Sequence, residues 1–344
     1  MHMKLLGLAL LLSLTAATPV GAQVKVAKDA PGEWTALGAG PCGVVGGQAY
    51  CLDPLGAFPV RRAVGQSVVT TYGGDNVVCG VTPAGAGVCG DAATTGRGRH
   101  AIDDVRFIAG AYYRGTWCAA LSSGGVRCGT IESGSADATP PTAPAGLPDT
   151  VQFAEAIGGL ASCARTERGQ IWCWGHNRAG ELGRGETNDS TAAPIAGGER
   201  YRALTTGERA WCGLTVDGVM RCWGDGRVSV FGTQALDQCT TGRGDPFPCA
   251  KSPRPIALPG PARLIAVSAA GSCAVLEDRR VVCWGSRFHP SVTAVGGVPA
   301  DIVELGVGGS TGCARTAAGE VWCWSLTGRE RVAERLQPPQ ADER

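Results

Sequence analysis

Sixteen cysteines stand in this chain as eight consecutive pairs, and that spacing limits what the chain can fold into. The pairs are Cys42/Cys51, Cys79/Cys89, Cys118/Cys128, Cys163/Cys173, Cys212/Cys222, Cys239/Cys249, Cys273/Cys283 and Cys313/Cys323; seven are ten residues apart and the first is nine apart. In the Cys212 pair, two apolar-rich runs flank Val216-Asp217-Gly218, which reads as a three-residue hairpin loop with glycine in the left-handed position. Folding about Asp217 sets Cys212 opposite Cys222, within reach of a disulfide. Gly85, Gly124, Gly169 and Gly319 occupy the same offset, and Gly46-Gly47 suits a two-residue loop in the shorter first pair. Arg279 stands at that offset in the Cys273 pair, so a different turn is expected there. Zinc sites typically use much closer cysteine pairs, and no histidine accompanies these at ligand spacing, so the pattern reads as disulfides and no metal is expected. Each short closure contributes roughly 2–3 kcal/mol at most.

With Cys239/Cys249 set aside, the first cysteines lie at 42, 79, 118, 163, 212, 273 and 313, and the intervals vary from 37 to 61 residues. A short β-like segment precedes each, as in Phe107-Ile-Ala-Gly110 and Tyr201-Arg-Ala-Leu204, and a variable segment follows. Three or four short strands at this period make a propeller blade. The uneven spacing and the lack of helical periodicity argue against a solenoid. In Ile171-Trp172-Cys173-Trp174 and Val321-Trp322-Cys323-Trp324 neither alternating face is polar, as sheets sandwiched between neighbours require. Those tryptophans read as packing between blades. The expected fold is all-β: a seven-bladed β-propeller with a cross-strand disulfide hairpin in each blade.

The amino-terminal 22 residues read as an export signal: a basic start at Lys4, an apolar run over Leu5–Leu14, and small residues at Val20-Gly21-Ala22. The apolar run is about half of a bilayer span, and none is expected elsewhere. Domain expectations are therefore a signal at 1–22, a propeller at 23–335 and a polar tail at 336–344. The location is secreted or periplasmic. The formal net charge of +1 includes Lys4, and charged residues are only 18% of the chain; this neutral, mixed surface excludes nucleic-acid binding as an expectation. A composition of 44% hydrophobic residues excludes a disordered chain.

Trp174-Gly-His-Asn177-Arg-Ala-Gly180-Glu-Leu182-Gly183-Arg-Gly185 resembles the W-G-x-N-x-x-G-Q-L-G-x-G signature of regulator of chromosome condensation repeats, with Glu181 in place of the usual glutamine. The hairpin before it is similar to the cysteine-bearing repeat of exported bacterial members. Trp223-Gly224 and Trp284-Gly285 keep the start of the signature and lose the rest. The resemblance implies a seven-bladed closed propeller in which strands from both termini complete one blade. Secreted members, an inhibitor of β-lactamases among them, imply binding of another protein across a propeller face.

Between Cys222 and Cys273 lie 50 residues, against 27 to 38 in the other connections. This insertion, about 226–260 between blades five and six, carries its own cysteine pair around Arg243-Gly-Asp245-Pro-Phe247. A disulfide-closed loop is rigid at low ordering cost and suits a protruding contact element. The interaction candidates are Arg243, Asp245 and Phe247 here, with His176, Arg178 and Arg184 of the signature loop. The expected function is a non-enzymatic, monomeric binding module without cofactor. It contacts an extracellular or periplasmic protein or a surface polymer through face loops. The alternative is a propeller hydrolase or lyase with a central-channel site. Gly308-Gly-Ser310-Thr-Gly312 matches the nucleophile-elbow string but reads as the turn entering the Cys313 strand, not as the strand-to-helix turn that chemistry requires. His100, His176 and His289 lie in different repeats.

Overall fold

The computed structural model describes residues 34–37, 42–51, 61–64, 70–73, 77–91, 99–110, 116–130, 140–207, 209–234, 236–268, 270–285, 290–328 and 331–337. The expected signal, most of the polar tail and His289 lie outside the described residues, as do the side chains of Cys51 and His100.

The first sheet holds Trp34–Leu37 (β1), Cys42–Val45 (β2), Gln48–Cys51 (β3) and Arg61–Val64 (β4). The second holds Thr70–Gly73 (β5), Val77–Val81 (β6), Gly87–Asp91 (β7) and Arg99–Ile102 (β8). A seven-stranded sheet follows. It contains Val105–Gly110 (β9), Thr116–Leu121 (β10) and Val126–Thr130 (β11), then Phe153–Gly158 (β12), Ala161–Thr166 (β13), Ile171–Gly175 (β14) and Ser190–Pro194 (β15). Its two halves share backbone pairing only through a short parallel stretch of β9 with β12, at Ala109/Ile157 and Gly110/Gly158. The next sheet has Tyr201–Gly207 (β16), Ala210–Thr215 (β17), Met220–Asp225 (β18), Asp237–Thr240 (β19) and Pro246–Pro255 (β20). Ala262–Val267 (β21), Ser272–Leu276 (β22), Val281–Trp284 (β23) and Thr293–Ala294 (β24) form another. Ile302–Gly308 (β25), Thr311–Thr316 (β26), Val321–Ser325 (β27) and Glu334–Leu336 (β28) form the last. The fold is all-β, and the five sheets of four or five strands are blades in a propeller arrangement. No described helix is long and apolar enough to cross a membrane.

Local chemistry explains the hairpins. Cys79 is bonded to Cys89, Cys118 to Cys128 and Cys163 to Cys173, with Cα–Cα distances of 4.0–4.1 Å. Cys212 is bonded to Cys222, Cys273 to Cys283 and Cys313 to Cys323, at 4.1 Å each. All six bonds join directly opposed residues of neighbouring antiparallel strands. Cys42 faces Cys51 in the same register. Gly46 and Gly47 both take positive φ, as a two-residue loop requires. Threonine three residues after the first cysteine holds the longer loops: the Thr166, Thr215 and Thr316 hydroxyls accept the amides of Gln170, Val219 and Glu320 at 2.9–3.1 Å. Arg279 corrects one expectation. It takes the same left-handed conformation as the glycines, with φ 71°, and its amide donates to the Leu276 carbonyl at 2.9 Å as Gly218 donates to Thr215 at 3.1 Å. The opposed Cys273 and Cys283 dictate the loop, and the residue absorbs the cost.

Each sheet is covered by its neighbours. Cys79, Cys89, Ile108 and Trp117 share one buried cluster across the second and third hairpins; Leu214, Leu276 and Trp284 share another. Leading strands lie against one another in turn: β1 by β5, β5 by β9, β9 by β12, β12 by β16, β16 by β21, β21 by β25 and β25 by β1. At the last of these contacts Trp34 and Tyr50 bury with Cys313 and Val321. The described strands of every sheet are consecutive in sequence. Closure by strands from both termini in one blade is therefore corrected among the described residues: two complete blades meet face to face.

Two seams carry an ionic clasp. Glu155 on β12 faces Arg165 on β13, receives its Nε and Nη2 at 3.0 Å each, and accepts the Leu204 amide of the next sheet at 2.9 Å. Glu304 on β25 likewise receives Arg315 Nε at 2.7 Å and accepts the Leu37 amide at 2.6 Å, across the junction of last and first sheets. The same register holds apolar pairs elsewhere, such as Ala203/Leu214 and Leu264/Val275.

Arg279→Gly should raise stability by about 1 kcal/mol, because a left-handed non-glycine residue costs roughly 1–2 kcal/mol; urea denaturation would check it. Glu155→Ala strands a buried guanidinium and an amide of the next sheet, and should cost about 2–4 kcal/mol in the same measurement.

Candidate binding cleft

The signature residues build a compact loop after β14. Asn177 is fully buried and organises it. Its Nδ2 donates to the Glu186 and Asn188 carbonyls at 3.0 Å each, and its Oδ1 accepts the Leu182 amide at 2.9 Å. Leu182 fills the core. Gly183, at φ +64°, lies on the Trp223 indole, whose Nε1 donates to the Glu181 carbonyl at 2.9 Å. The signature thus docks one repeat's loop onto the next repeat's tryptophan.

The following repeat hides a second copy of this loop. The Asp225 amide donates to Arg209 O at 3.1 Å, as His176 does to Leu160 O at 3.0 Å. Trp284 Nε1 donates to Val230 O at 2.7 Å, as Trp223 does to Glu181 O. Phe231 is buried like Leu182, and Gly232 has positive φ like Gly183. The expectation that Trp223-Gly224 loses the rest of the signature is corrected: Val230, Phe231 and Gly232 replace Glu181, Leu182 and Gly183. Arg227 then corresponds to Arg178. Only the fold reveals this, because the asparagine that marks the first copy is Gly226 in the second.

The long insertion leaves from this second loop. Residues 250–255 of β20 pair with β18 as the blade's outer strand, and β19 with the start of β20 forms the extra hairpin. Cys239 and Cys249 are diagonal, with Cys239 opposite Phe247 and Cys249 opposite Asp237, so their Cα atoms are 5.8 Å apart. The hairpin is fastened to the signature loop. Ala179, Phe247 and the two cysteines share a buried cluster, and the Gly185 amide donates to Lys251 O at 2.8 Å. A Cβ on Gly180 would sit 2.6 Å from Lys251 Cα, so that position admits only glycine.

Between the two loops and the hairpin lies a half-open cleft of about 210 Å³. Arg178 and Glu181 come from the signature loop, Arg209 from the residues before β17, and Arg227 from the second copy; Thr241 and Phe247 close it from the hairpin. Arg227 is locked: Nε and Nη2 bond the two oxygens of buried Asp225 at 2.9 and 2.6 Å, and the guanidinium stacks 4.2 Å above the Phe247 ring. Arg209 Nη1 lies 3.5 Å from Asp225 Oδ2. Arg178 is exposed and makes no ion pair among the described residues. Burial pushes the Glu181 carboxyl above its usual range, although the Ala179 amide donating at 2.7 Å and the charges of His176 and Arg209 act against the shift.

The expected contact residues divide. Arg178 and Phe247 line the cleft together. Phe247 is buried and supports the hairpin from beneath, while Arg243 and Asp245 stand exposed at its tip, which Thr241 ties down through the Asp245 amide at 3.1 Å. His176 faces Asp189 at 3.7 Å, and Arg184 is tucked against Thr191 O at 3.3 Å. The paired cysteines divide as well. Cys239 and Cys249 support the hairpin that covers the cleft. Cys89, Cys128 and Cys283 end staples on β7, β11 and β23, and no cysteine lines the cleft itself. Arg209, Arg227 and Asp225 were absent from the sequence expectation. Ser310 lies in the tight turn between β25 and β26, its carbonyl accepting the Leu326 amide at 2.7 Å.

Residues 156–181 match the model of the Regulator of chromosome condensation (RCC1) repeat. No curated protein matches the chain. Among solved structures, Prp20p from Saccharomyces cerevisiae is 14% identical with a TM-score of 0.59, covering 80% of this chain and 78% of that one. Human WBSCR16 is 14% identical with a TM-score of 0.61, covering 86% of each. The CRINKLY WD40 ectodomain of the Arabidopsis thaliana receptor kinase ACR4 is 17% identical with a TM-score of 0.51, covering 90% and 100%. The chain carries an RCC1 repeat on the fold of RCC1-like β-propellers.

Glu181→Gln should remove a pH-dependent loss of stability. A carboxyl raised by folding contributes fully below its unfolded value, near 4.5. That contribution falls as pH rises through the higher folded value, because the unfolded state releases its proton first. Thermal midpoints of wild type and variant should therefore coincide in acid and diverge in the variant's favour above pH 4.5.

Proposed function

We propose that this chain is an exported, non-enzymatic binding module, a seven-bladed propeller that holds another protein on the face carrying the signature loop and the inserted hairpin. Its seven blades rest on counting the two halves of the seven-stranded sheet as one blade each, since each half carries its own cysteine hairpin. The ring of leading strands from β1 to β25 and back supports that count. Export rests on the basic-then-apolar amino terminus and on seven described disulfides, which persist in oxidising compartments.

The observation that carries the reading is the hairpin itself. Its disulfide, its buried cluster with Ala179 and its continuity with β20 hold Arg243 and Asp245 out in solvent on a rigid support. Such an element binds with little further ordering cost. Relatives by fold have protein partners: yeast RCC1 (Prp20) has been seen bound to Kap60, and Prp20p has binding properties toward Gsp1p and histones. The mode, a protein held by propeller loops, is what carries over. The partners do not.

The two ends of the strands define the test. Arg243 stands on the signature-loop face, whereas Val216, 62% exposed, lies in the β17–β18 turn on the opposite face. A photo-crosslinking residue at position 243, in cells exporting the protein, should give a discrete adduct that position 216 does not. Equal adducts at both positions, or adducts only at 216, overturn the proposal. Turnover of a small substrate abolished by channel-lining substitutions would favour the enzyme instead.

A further inference from the structure

The cleft beneath the hairpin is more selective than a general contact surface. Its volume of about 210 Å³ falls below the roughly 300–1,000 Å³ of small-molecule sites. It suits one inserted side chain, the way a partner protein anchors itself. The charges are equally restrictive. Arg178, Arg209 and Arg227 face it, against Asp225 and Glu181, so three cations less two acids leave one positive charge even with both acids ionised. Asp225 is occupied by Arg227, and Glu181 Oε2 by the Ala179 amide. Arg178 and Arg209 retain free donors.

We infer, building on the binding-module reading, that this cleft receives a single carboxylate projected by the partner polypeptide, with Arg178 and Arg209 as its donors and Arg227 as a fixed positive wall. A guanidinium fork matches the two oxygens of a planar carboxylate. The apolar walls at Ala179 and Phe247 suit the methylene stem of a glutamate. A sulfated or phosphorylated polymer needs a stripe of many cations, whereas this chain has a formal net charge of only +1 and the cleft one excess cation. The carboxylate can come from an acidic side chain or from a chain terminus.

The probes are four compounds titrated into the full exported protein labelled at arginine side-chain nitrogens. They are a blocked pentapeptide with central glutamate, its glutamine counterpart, an amino-blocked triglycine with free carboxylate, and a sulfated disaccharide. The Nε–H signals of Arg178 and Arg209 should shift saturably with at least one carboxylate peptide, and the one that shifts them more identifies the source. The glutamine peptide should leave them unmoved. Arg178→Ala and Arg209→Ala, neither at a buried side chain, should each weaken binding about fivefold or more, as loss of a charge-assisted contact does, and Arg178→Ala should leave the thermal midpoint unchanged. No shift with either carboxylate peptide, equal shifts with the glutamine peptide, tighter binding of the disaccharide, or full binding in both variants overturns the inference. Any of these outcomes leaves crosslinking from position 243 as it was. Loss of that crosslink with the peptide titration intact removes the parent reading instead.

Discussion

Each cysteine hairpin presents apolar side chains on both faces of its sheet, and only another sheet can cover each face. A lone hairpin of this kind has no stable way to exist in water, and a row of them would leave both end faces bare. Closing the row into a ring covers every face at once. Cys212 and Cys222 illustrate the local half of the solution: the covalent link holds two opposed strand residues in register, so the side chains alternate correctly toward both neighbours. Packing such as that of Leu214, Leu276 and Trp284 provides the other half.

The ring closes by interlocking complete sheets, and the seams show how. Tryptophans of one repeat receive the loop of the repeat before it, with indole N–H groups bonded to the Glu181 and Val230 carbonyls. At two seams a partly buried glutamate joins its own sheet's arginine to the backbone of the next sheet. One of these lies where the first and last sheets meet, a junction with no chain connection to hold it. An ion pair that also satisfies a backbone amide fixes geometry as well as energy, because a shifted neighbour would strand both partners.

The candidate site grows out of the same repeat logic. Two successive copies of one loop place Arg178 and Arg227 at equivalent positions, and the inserted hairpin covers the gap between them. The support is stiff: Asp225 and Phe247 hold Arg227, while Gly180 and Gly185 hold the signature loop against β20. Arg178, exposed, and Arg209, beside Asp225, complete the lining.

Much of this was legible in the residues. The cysteine intervals, the glycines of the turns and the doubly apolar hairpins led to an all-β propeller, because each is a local constraint with few geometric solutions. Cys89, Cys128 and Cys283 each bond the cysteine ten residues before them, as a hairpin of that length requires. The inserted hairpin and the signature loop stood out for the same reason, and Arg178 and Phe247 prove to share a cleft. Other features were out of reach. Arg279 read as a break in the turn pattern, since propensity does not reveal that opposed cysteines impose the loop. Glu155 and Glu304 carry no local signal, because their partners include amides many residues away. The second loop copy and its Arg227 were invisible because burial tolerates Phe231 for Leu182 and different polar residues elsewhere. Sequence by itself determined the repeating unit and its covalent staple, which are set by contacts ten residues apart. Tertiary structure alone decided which units touch, how the ring closes and which arginines converge, because those depend on distances between repeats that no spacing along the chain records.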